Sequence, residues 1–241
     1  MLEHSIRTQK KGIVTRITEQ IEHLRERIEN AADRAGRDAQ EIRIVAVSKK
    51  QPPTAIRAAQ VAGLTRFGEN YVQEALPKIA AIEPPAEWHF IGALQSNKAG
   101  EIATSFDWAH TISSARAARR LSARRPPESA DLQACIQLRA AGAPERAGID
   151  AAEVPALAGL LVELPSIRLR GLMIMPLPGL PADELRREFA RARALLATLN
   201  DAGYSADTLS MGMSGDLEAA IMEGSTMVRV GTDIFGPRTH D

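Results

Sequence analysis

Near one end of the chain an apolar pair, Met227-Val228, passes into Arg229-Val230-Gly231-Thr232. A β-strand closing in Arg-x-Gly-Thr presents backbone N–H groups, a hydroxyl and a guanidinium together, a set suited to an anion and above all to a phosphate. A second contributor comes just before it. Met211-Gly-Met-Ser-Gly-Asp216 leads into a predicted helix with Ser214 placed as its N-cap, and Gly215 allows close approach. Hydroxyl, free N–H groups and the positive helix end would then meet one ligand. Far ahead in the chain, Ile42-Arg-Ile-Val-Ala-Val-Ser48 reads as a strand with Lys49 at its tip. An amine at one strand end and a phosphate site at others is the minimum apparatus for holding pyridoxal phosphate (PLP) as a Schiff base. Lys49 and Lys50 are both candidates for that amine. Alternation along the strand sends them to opposite faces, Lys49 with Val45 and Val47, so the choice rests on which face is the interior.

These groups act together only if the strand ends meet. Ile13, Ile17, Ile21, Leu24 and Ile28 mark one face of a helix, expected over about 13–35 and stopped by Gly36. Short apolar runs then predict strands near 42–48, 64–69, 87–93, 107–112, 132–138, 168–174, 207–212 and 227–231. Helices are expected between them, near 53–63, 70–82, 97–105, 114–125, 151–163, 182–202 and 214–223. Pro52-Pro53 suits a first helical turn, Ser114 an N-cap, and Asp150 with Glu153 a capping box. The strands are near-continuous apolar runs, which favours a parallel sheet covered by helices. Eight such units in 241 residues point to a (β/α)8 TIM-type barrel with an extra N-terminal helix. It would be a single domain over 1–241, with the barrel at about 41–236. The alternative, an open doubly wound sheet, usually brings a G-x-G-x-x-G turn, which is missing here. In the barrel all strand C-termini share one face. Lys49, Glu69-Asn70, Gly92 through Lys98, Met173 to Pro176, Met211 to Ser214 and Gly231-Thr232 all fall on it.

Composition narrows the classes. Hydrophobic residues are 44% and aromatics 4%, so the core is expected to be Ala, Leu, Ile and Val. Thirty basic residues balance thirty acidic ones, giving no pull towards nucleic acid or anionic membrane, and no apolar run approaches a membrane span. Cys135 is the single cysteine. One thiol builds no disulfide framework, so a reducing compartment, the cytoplasm, is expected. The start, Met1-Leu-Glu-His-Ser-Ile-Arg7, has no apolar stretch and is not expected to be a secretory signal. His89 and His110 lie in strands without an H-x-H or H-E-x-x-H pattern. They read as packing or hydrogen-bonding residues, and no metal is expected. Arg116, Arg119, Arg120, Arg124 and Arg125 read as a solvated helix stripe. Met173, Met175, Met211 and Met213 read as core beside the site.

Longer stretches carry a resemblance. They are Ala46-Val-Ser-Lys49, Phe67-Gly-Glu-Asn-Tyr-Val-Gln-Glu74, Trp88-His-Phe-Ile-Gly92, Leu94-Gln-Ser-Asn-Lys98, Leu169-Arg-Gly-Leu-Met173, Leu209-Ser-Met-Gly-Met-Ser214, Gly224-Ser-Thr-Met-Val-Arg-Val-Gly-Thr232 and Ile234-Phe-Gly236. Together they resemble the pyridoxal phosphate homeostasis proteins, collinearly over about residues 10–238. The resemblance implies a fold like the barrel domain of alanine racemase without that enzyme's second domain, and PLP bound to Lys49 as an internal aldimine. It implies Asn70 and Met173 near the ring, Ser214, Gly231 and Thr232 on the phosphate, and Arg229 at either the pyridine nitrogen or the phosphate. Some positions depart from the pattern. Arg139 stands for an asparagine, Arg146 for a lysine, Gln51 for a second lysine, Gly215 for an aspartate and Asp233 for an alanine. They bear on any secondary lysine that accepts or passes on PLP, and Arg139 on what enters the mouth.

The resemblance implies a PLP-binding carrier or regulator in vitamin B6 and amino-acid homeostasis, without strong catalysis. It would act as a monomer, with PLP-dependent apoenzymes as recipients. The alternatives are a PLP enzyme such as an amino-acid racemase, or a phosphosugar enzyme on the same barrel. Racemisation needs acid/base groups on both faces of the cofactor, and the chain's only tyrosines are Tyr71 and Tyr204.

Overall fold

The computed structural model describes residues 2–237, with side chains from Gly12 onward. Eight strands form a closed, all-parallel barrel in sequence order. They are β1 (Arg43–Val47), β2 (Arg66–Glu69), β3 (Glu87–Phe90), β4 (Trp108–Ile112), β5 (Leu132–Leu138), β6 (Ile167–Ile174), β7 (Thr208–Ser210) and β8 (Met227–Val230). The ring closes where β8 pairs with β1, Arg229 opposite Val45 and Val230 opposite Ala46. The helices are α1 (Leu2–Arg34), α2 (Pro53–Val61), α3 (Val72–Ala81), α4 (Ala99–Ser105), α5 (Ala115–Arg124), α6 (Val154–Glu163), α7 (Ala182–Asp201), α8 (Leu217–Met222) and α9 (Thr232–Phe235). The expected barrel with its N-terminal helix is therefore what forms.

The punctuation explains the boundaries. Pro53 opens α2, Ser114 Oγ accepts the Ala117 N–H at 3.2 Å at the start of α5, and Asp150 with Glu153 makes both halves of a capping box. Helix α1 starts earlier than expected, at Leu2; the side chains of the first eleven residues, where a signal was sought, lie outside the described ones. Of the expected stripe, Ile17, Ile21, Leu24 and Ile28 are buried and Ile13 is half-buried. Each such side chain stabilises the fold by roughly 1.5–3 kcal/mol on burial. The stripe packs on α2, α8 and α9, so α1 lies over the seam between the last and first strands.

Residues pointing out of the barrel, such as Ala46, Phe67, Ile136 and Val228, join the helices in one large apolar core. Ala, Ile and Leu dominate it, as the composition implies. The barrel interior is different. Its apolar part is a small cluster of Val45, Trp108, Cys135, Met173 and Met227. Around it stand His89, His110, Gln137, Ser210 and Arg229, all buried. Towards the N-terminal mouth the Arg43 and Arg170 guanidiniums sit 5.7 and 4.9 Å from the Trp108 ring centroid.

Of the expected arginine stripe, Arg116, Arg119, Arg120 and Arg124 are exposed, but Arg125 is not part of it. Its Nη1 donates to Ala103 O and Phe106 O at 2.7 and 2.6 Å, satisfying carbonyls at the end of α4, where a terminus leaves acceptors over.

Candidate functional site

At the C-terminal face a cavity of about 180 Å³ is lined by Lys49, Met213, Ser214, Arg229, Gly231 and Thr232, with Val47 and Gln51 beside them. Five of the seven expected site residues therefore surround one space. The choice between the two lysines follows from the interior face. Val45 packs inside the barrel, and by alternation Val47 and Lys49 follow it. Lys50 instead is exposed, with φ +61°.

The turn that carries Lys49 is clamped from the outer side, through residues that sequence reading did not single out. Lys78 Nζ, on α3, donates to Ser48 O at 2.8 Å, to Glu69 at 2.8 Å and to Glu74 at 2.7 Å. Ser48 Oγ donates to Glu69 at 2.6 Å, and the Lys50 N–H bonds to Glu74. Ser48 and Lys50 are thus both fastened, one on each side of Lys49. Burial pushes the Glu69 carboxyl up, against the pull of Lys78 and Ser48. Only the Glu74/Lys78 spacing of four, one helical turn, hinted at this in the sequence.

On the anion side the expected helix start needs correcting. Helix α8 begins at Leu217 with Asp216 in the N-cap position, so Ser214 is not its N-cap. Asp216 Oδ1 takes the Met213 N–H instead. That closes a turn over 213–216 and delays the helix. Gly212, at φ +97°, starts this loop; a Cβ there would come within 2.8 Å of Ala220 Cβ. Ser214 Oγ accepts the Asp233 N–H at 3.4 Å, joining the loop after β7 to the turn after β8. Arg27 of α1 fastens both, donating to Ser214 O at 3.0 Å and pairing with Glu218 and Asp233. Asp233, one of the departures, thus serves as a partner for α1. A side chain at Gly231 would lie 3.3 Å from Val47 O, so glycine keeps the cradle open.

Arg229 is 4% exposed. Its Nη1 donates to Ser210 Oγ at 2.8 Å and its Nη2 to Ile174 O at 3.1 Å. Among the described residues no carboxylate pairs with it within 4.0 Å. Burial pushes its guanidinium down to about 10, with Asp216 acting against this from a distance. A buried cation with neutral partners, on a cavity wall, favours an anionic or lone-pair acceptor.

Ser210 continues inward to His110, and His110 to His89, each at 2.8 Å. Burial holds both histidines below the ordinary value of 6.5, and at His110 the neighbouring His89 and Arg229 add to it. Glu87 and Asp107 oppose the shift at His89. Groups neutral when folded but free to take a proton when unfolded contribute stability that is complete above the unfolded value and lost below it. The stability measured by urea unfolding should therefore fall as the pH drops below about 6.5, by up to roughly 1.4 kcal/mol per pH unit for each histidine. A flat profile in the His89→Gln/His110→Gln protein would assign the loss to this pair; an unchanged slope would assign it elsewhere.

The remaining expected residues are placed differently. Asn70 follows β2 and lies close to Gly92, where a Cβ would meet Asn70 O at 1.9 Å. Its buried Oδ1 has no hydrogen-bond partner, and the residue is not on the cavity wall. Met173 lies inside the barrel against Cys135 and Met227, likewise off the wall. Met211 joins the outer core, while Met213 reaches the cavity. Arg139 is tied to Gly148 O at 2.8 Å and to Asp150, which holds it to its own loop. Arg146 lines a neighbouring recess with Met213 and Asp216. Among the described residues no three His, Cys, Asp or Glu side chains are placed to hold a metal, and no helix is long and apolar enough to cross a membrane.

Residues 20–239 match the family described as alanine racemase, N-terminal domain. The pyridoxal phosphate homeostasis protein of Pseudomonas aeruginosa is 47% identical over 225 residues, 93% of this chain and 96% of that one. Its namesake in Escherichia coli K12 is 46% identical over 231 residues, 93% and 97% of the two chains. The solved structure of PipY from Synechococcus elongatus with PLP bound superposes with a TM-score of 0.79 at 37% identity, covering 91% of this chain and all of that one. Alanine racemase from Corynebacterium glutamicum, at 17% identity and a TM-score of 0.69, shares the fold over 62% of its length.

Proposed function

Because the chain belongs to the pyridoxal phosphate homeostasis protein family, on the alanine racemase N-terminal domain fold, we propose that it binds pyridoxal 5'-phosphate in the cavity beside Lys49. The observation that carries this is the meeting, in one space, of an inward-facing amine with a buried, carboxylate-free guanidinium and a hydroxyl-glycine cradle. The donor set fits the cofactor. Lys49 Nζ is the amine that would hold its aldehyde as a Schiff base. Ser214 and Thr232 offer hydroxyls, and Gly231 a backbone N–H, to its phosphate. Arg229 meets the ring nitrogen or the phosphate. Asn70 and Met173, which the resemblance put near the ring, lie off the wall of this cavity. Bound in this way the cofactor supplies an electron-accepting ring.

The residues favour holding over turnover. Of the side chains on the cavity wall, Lys49 and Arg229 are the ionisable ones, and a guanidinium does not accept a proton, so one acid/base group faces the ligand where racemisation needs two. Tyr71 is 61% exposed, and Tyr204 lies against Gly159 of α6. The protein is accordingly a single-domain carrier or regulator in vitamin B6 and amino-acid homeostasis. It would act in the cytoplasm as a monomer, with PLP-dependent apoenzymes as the recipients.

The test is the absorbance spectrum of the purified protein mixed with PLP, before and after borohydride. A yellow band that reduction fixes to the chain supports the reading; a protein that PLP does not colour overturns it. The Ser214→Ala/Thr232→Ala protein should retain PLP less well, each lost charge-assisted bond costing roughly 1.5–3 kcal/mol. An unaltered Kd in the double variant would place the phosphate elsewhere.

A further inference from the structure

One line of hydrogen bonds runs through the barrel interior from its N-terminal mouth to the cavity. Glu87 Oε1, at the start of β3, meets His89 Nε2 at 2.8 Å. His89 Nδ1 meets His110 Nε2 at 2.8 Å, His110 Nδ1 meets Ser210 Oγ at 2.8 Å, and Arg229 Nη1 meets the same oxygen at 2.8 Å. With both rings neutral, as their burial favours, the two ends allow a single direction. A guanidinium donates and does not accept; an ionised carboxylate accepts and does not donate. Burial pushes the Glu87 carboxyl up, but His89, Arg66 and Arg43 outweigh it and hold it below its ordinary value. Ser210 therefore accepts from Arg229 and turns its hydroxyl hydrogen to His110 Nδ1. His110 must then carry its proton on Nε2 and give it to His89 Nδ1. His89 in turn carries its own on Nε2, facing Glu87. With both rings neutral, no other arrangement keeps all four bonds.

We propose that Glu87, His89, His110 and Ser210 are positioning residues for Arg229, a one-way relay that fixes its guanidinium towards the ligand from a carboxylate at the opposite mouth of the barrel. Glu87 lies in a separate recess with Arg43, Trp108 and Arg170, none of which lines the Lys49 cavity. With Nη1 and Nη2 each anchored by one hydrogen, the remaining N–H groups of Arg229 offer the cavity donors alone. The ligand atom selected there is an acceptor, an anion or an unprotonated ring nitrogen. The link from the relay to binding rests on the PLP reading above.

The histidine tautomers test the relay without any ligand. Imidazole 15N shifts of the protein near neutral pH should show both rings neutral with the proton on Nε2. Glu87→Gln keeps an acceptor and should keep that pattern. Glu87→Lys presents only donors to His89, so the whole line must reverse. Nδ1–H should appear at His89 and also at His110, which residue 87 does not touch, and PLP should bind about tenfold more weakly. That is the scale on which outer hydrogen-bond partners tune the groups they orient. A packing role alone would leave the His110 tautomer unmoved. If Glu87→Lys does not fold, Ser210→Ala takes its place. His110 should then lose the partner of its Nδ1 and PLP affinity should fall about tenfold, with the Lys49 linkage still reducible by borohydride. An Nδ1–H ring in the unmodified protein overturns the proposal. So do unchanged tautomers and unchanged PLP affinity in the folded variant. If the unmodified protein takes no PLP while the tautomers reverse as described, the relay stands and the cofactor reading falls.

Discussion

Lys49→Ala should yield a folded barrel from which borohydride recovers no PLP linked to the chain, a complete loss of the covalent chromophore. Lys49 stands two residues past the end of β1 and is half-buried at the cavity wall, outside both apolar clusters. Its removal should therefore change stability by no more than about 1 kcal/mol. Far-UV circular dichroism and a urea midpoint beside the parent protein check the fold. Lys50 offers no rescue, because it is exposed and its backbone turns away at φ +61°; Lys50→Ala should keep the chromophore. A Lys49→Ala protein that still reduces to a covalent adduct would move the linkage to another amine. One that unfolds would show that the amine carries structure as well.

The second large effect is structural and lies outside the cavity. Lys78→Ala should destabilise the barrel by roughly 3–5 kcal/mol, the cost of stranding the partner of a buried ion pair. Glu69 is fully buried and Lys78 6% exposed, and removing the ammonium also strips the Ser48 carbonyl of its donor. Glu69→Gln/Lys78→Met should recover most of the loss, because neither residue then leaves an uncompensated charge. Urea unfolding measures both; a loss under about 1 kcal/mol in Lys78→Ala would show that water enters and replaces the ammonium. Ser48 and Lys50 flank Lys49, so the single variant should also loosen PLP, separating a role in holding the turn from bulk stability.

The barrel was legible because each strand is a short apolar run with a helix after it, and Pro53, Ser114 and Asp150 mark helix starts by local chemistry. Arg229-x-Gly-Thr232 was legible for the same reason, its donors being contiguous. Ser214 was misplaced as an N-cap because Asp216, another good capping residue, stands two positions on, and the turn it closes takes up the first residues of the expected helix. Lys49 and Lys50 were indistinguishable until the interior face of β1 was known. The line from Glu87 to Arg229 had no local signature. Its members come from β3, β4, β7 and β8, and only barrel closure brings Ser210 to His110. His89 and His110 could be read as hydrogen-bonding residues, but not what they bond.

Closure at the β8–β1 seam also sets a timetable. Lys49 follows the first strand and the phosphate cradle follows the last two, with six strands between Lys49 and Ser214 and seven between Lys49 and Gly231. During synthesis the amine emerges early and waits, and the groups that would hold a ligand against it are made after nearly every other part of the barrel. A ribosome-bound chain that stops short of β8 has a lysine but no seat. PLP is then in no position to guide the early steps of folding, and only chains that have closed the ring withdraw this reactive aldehyde from the surrounding pool.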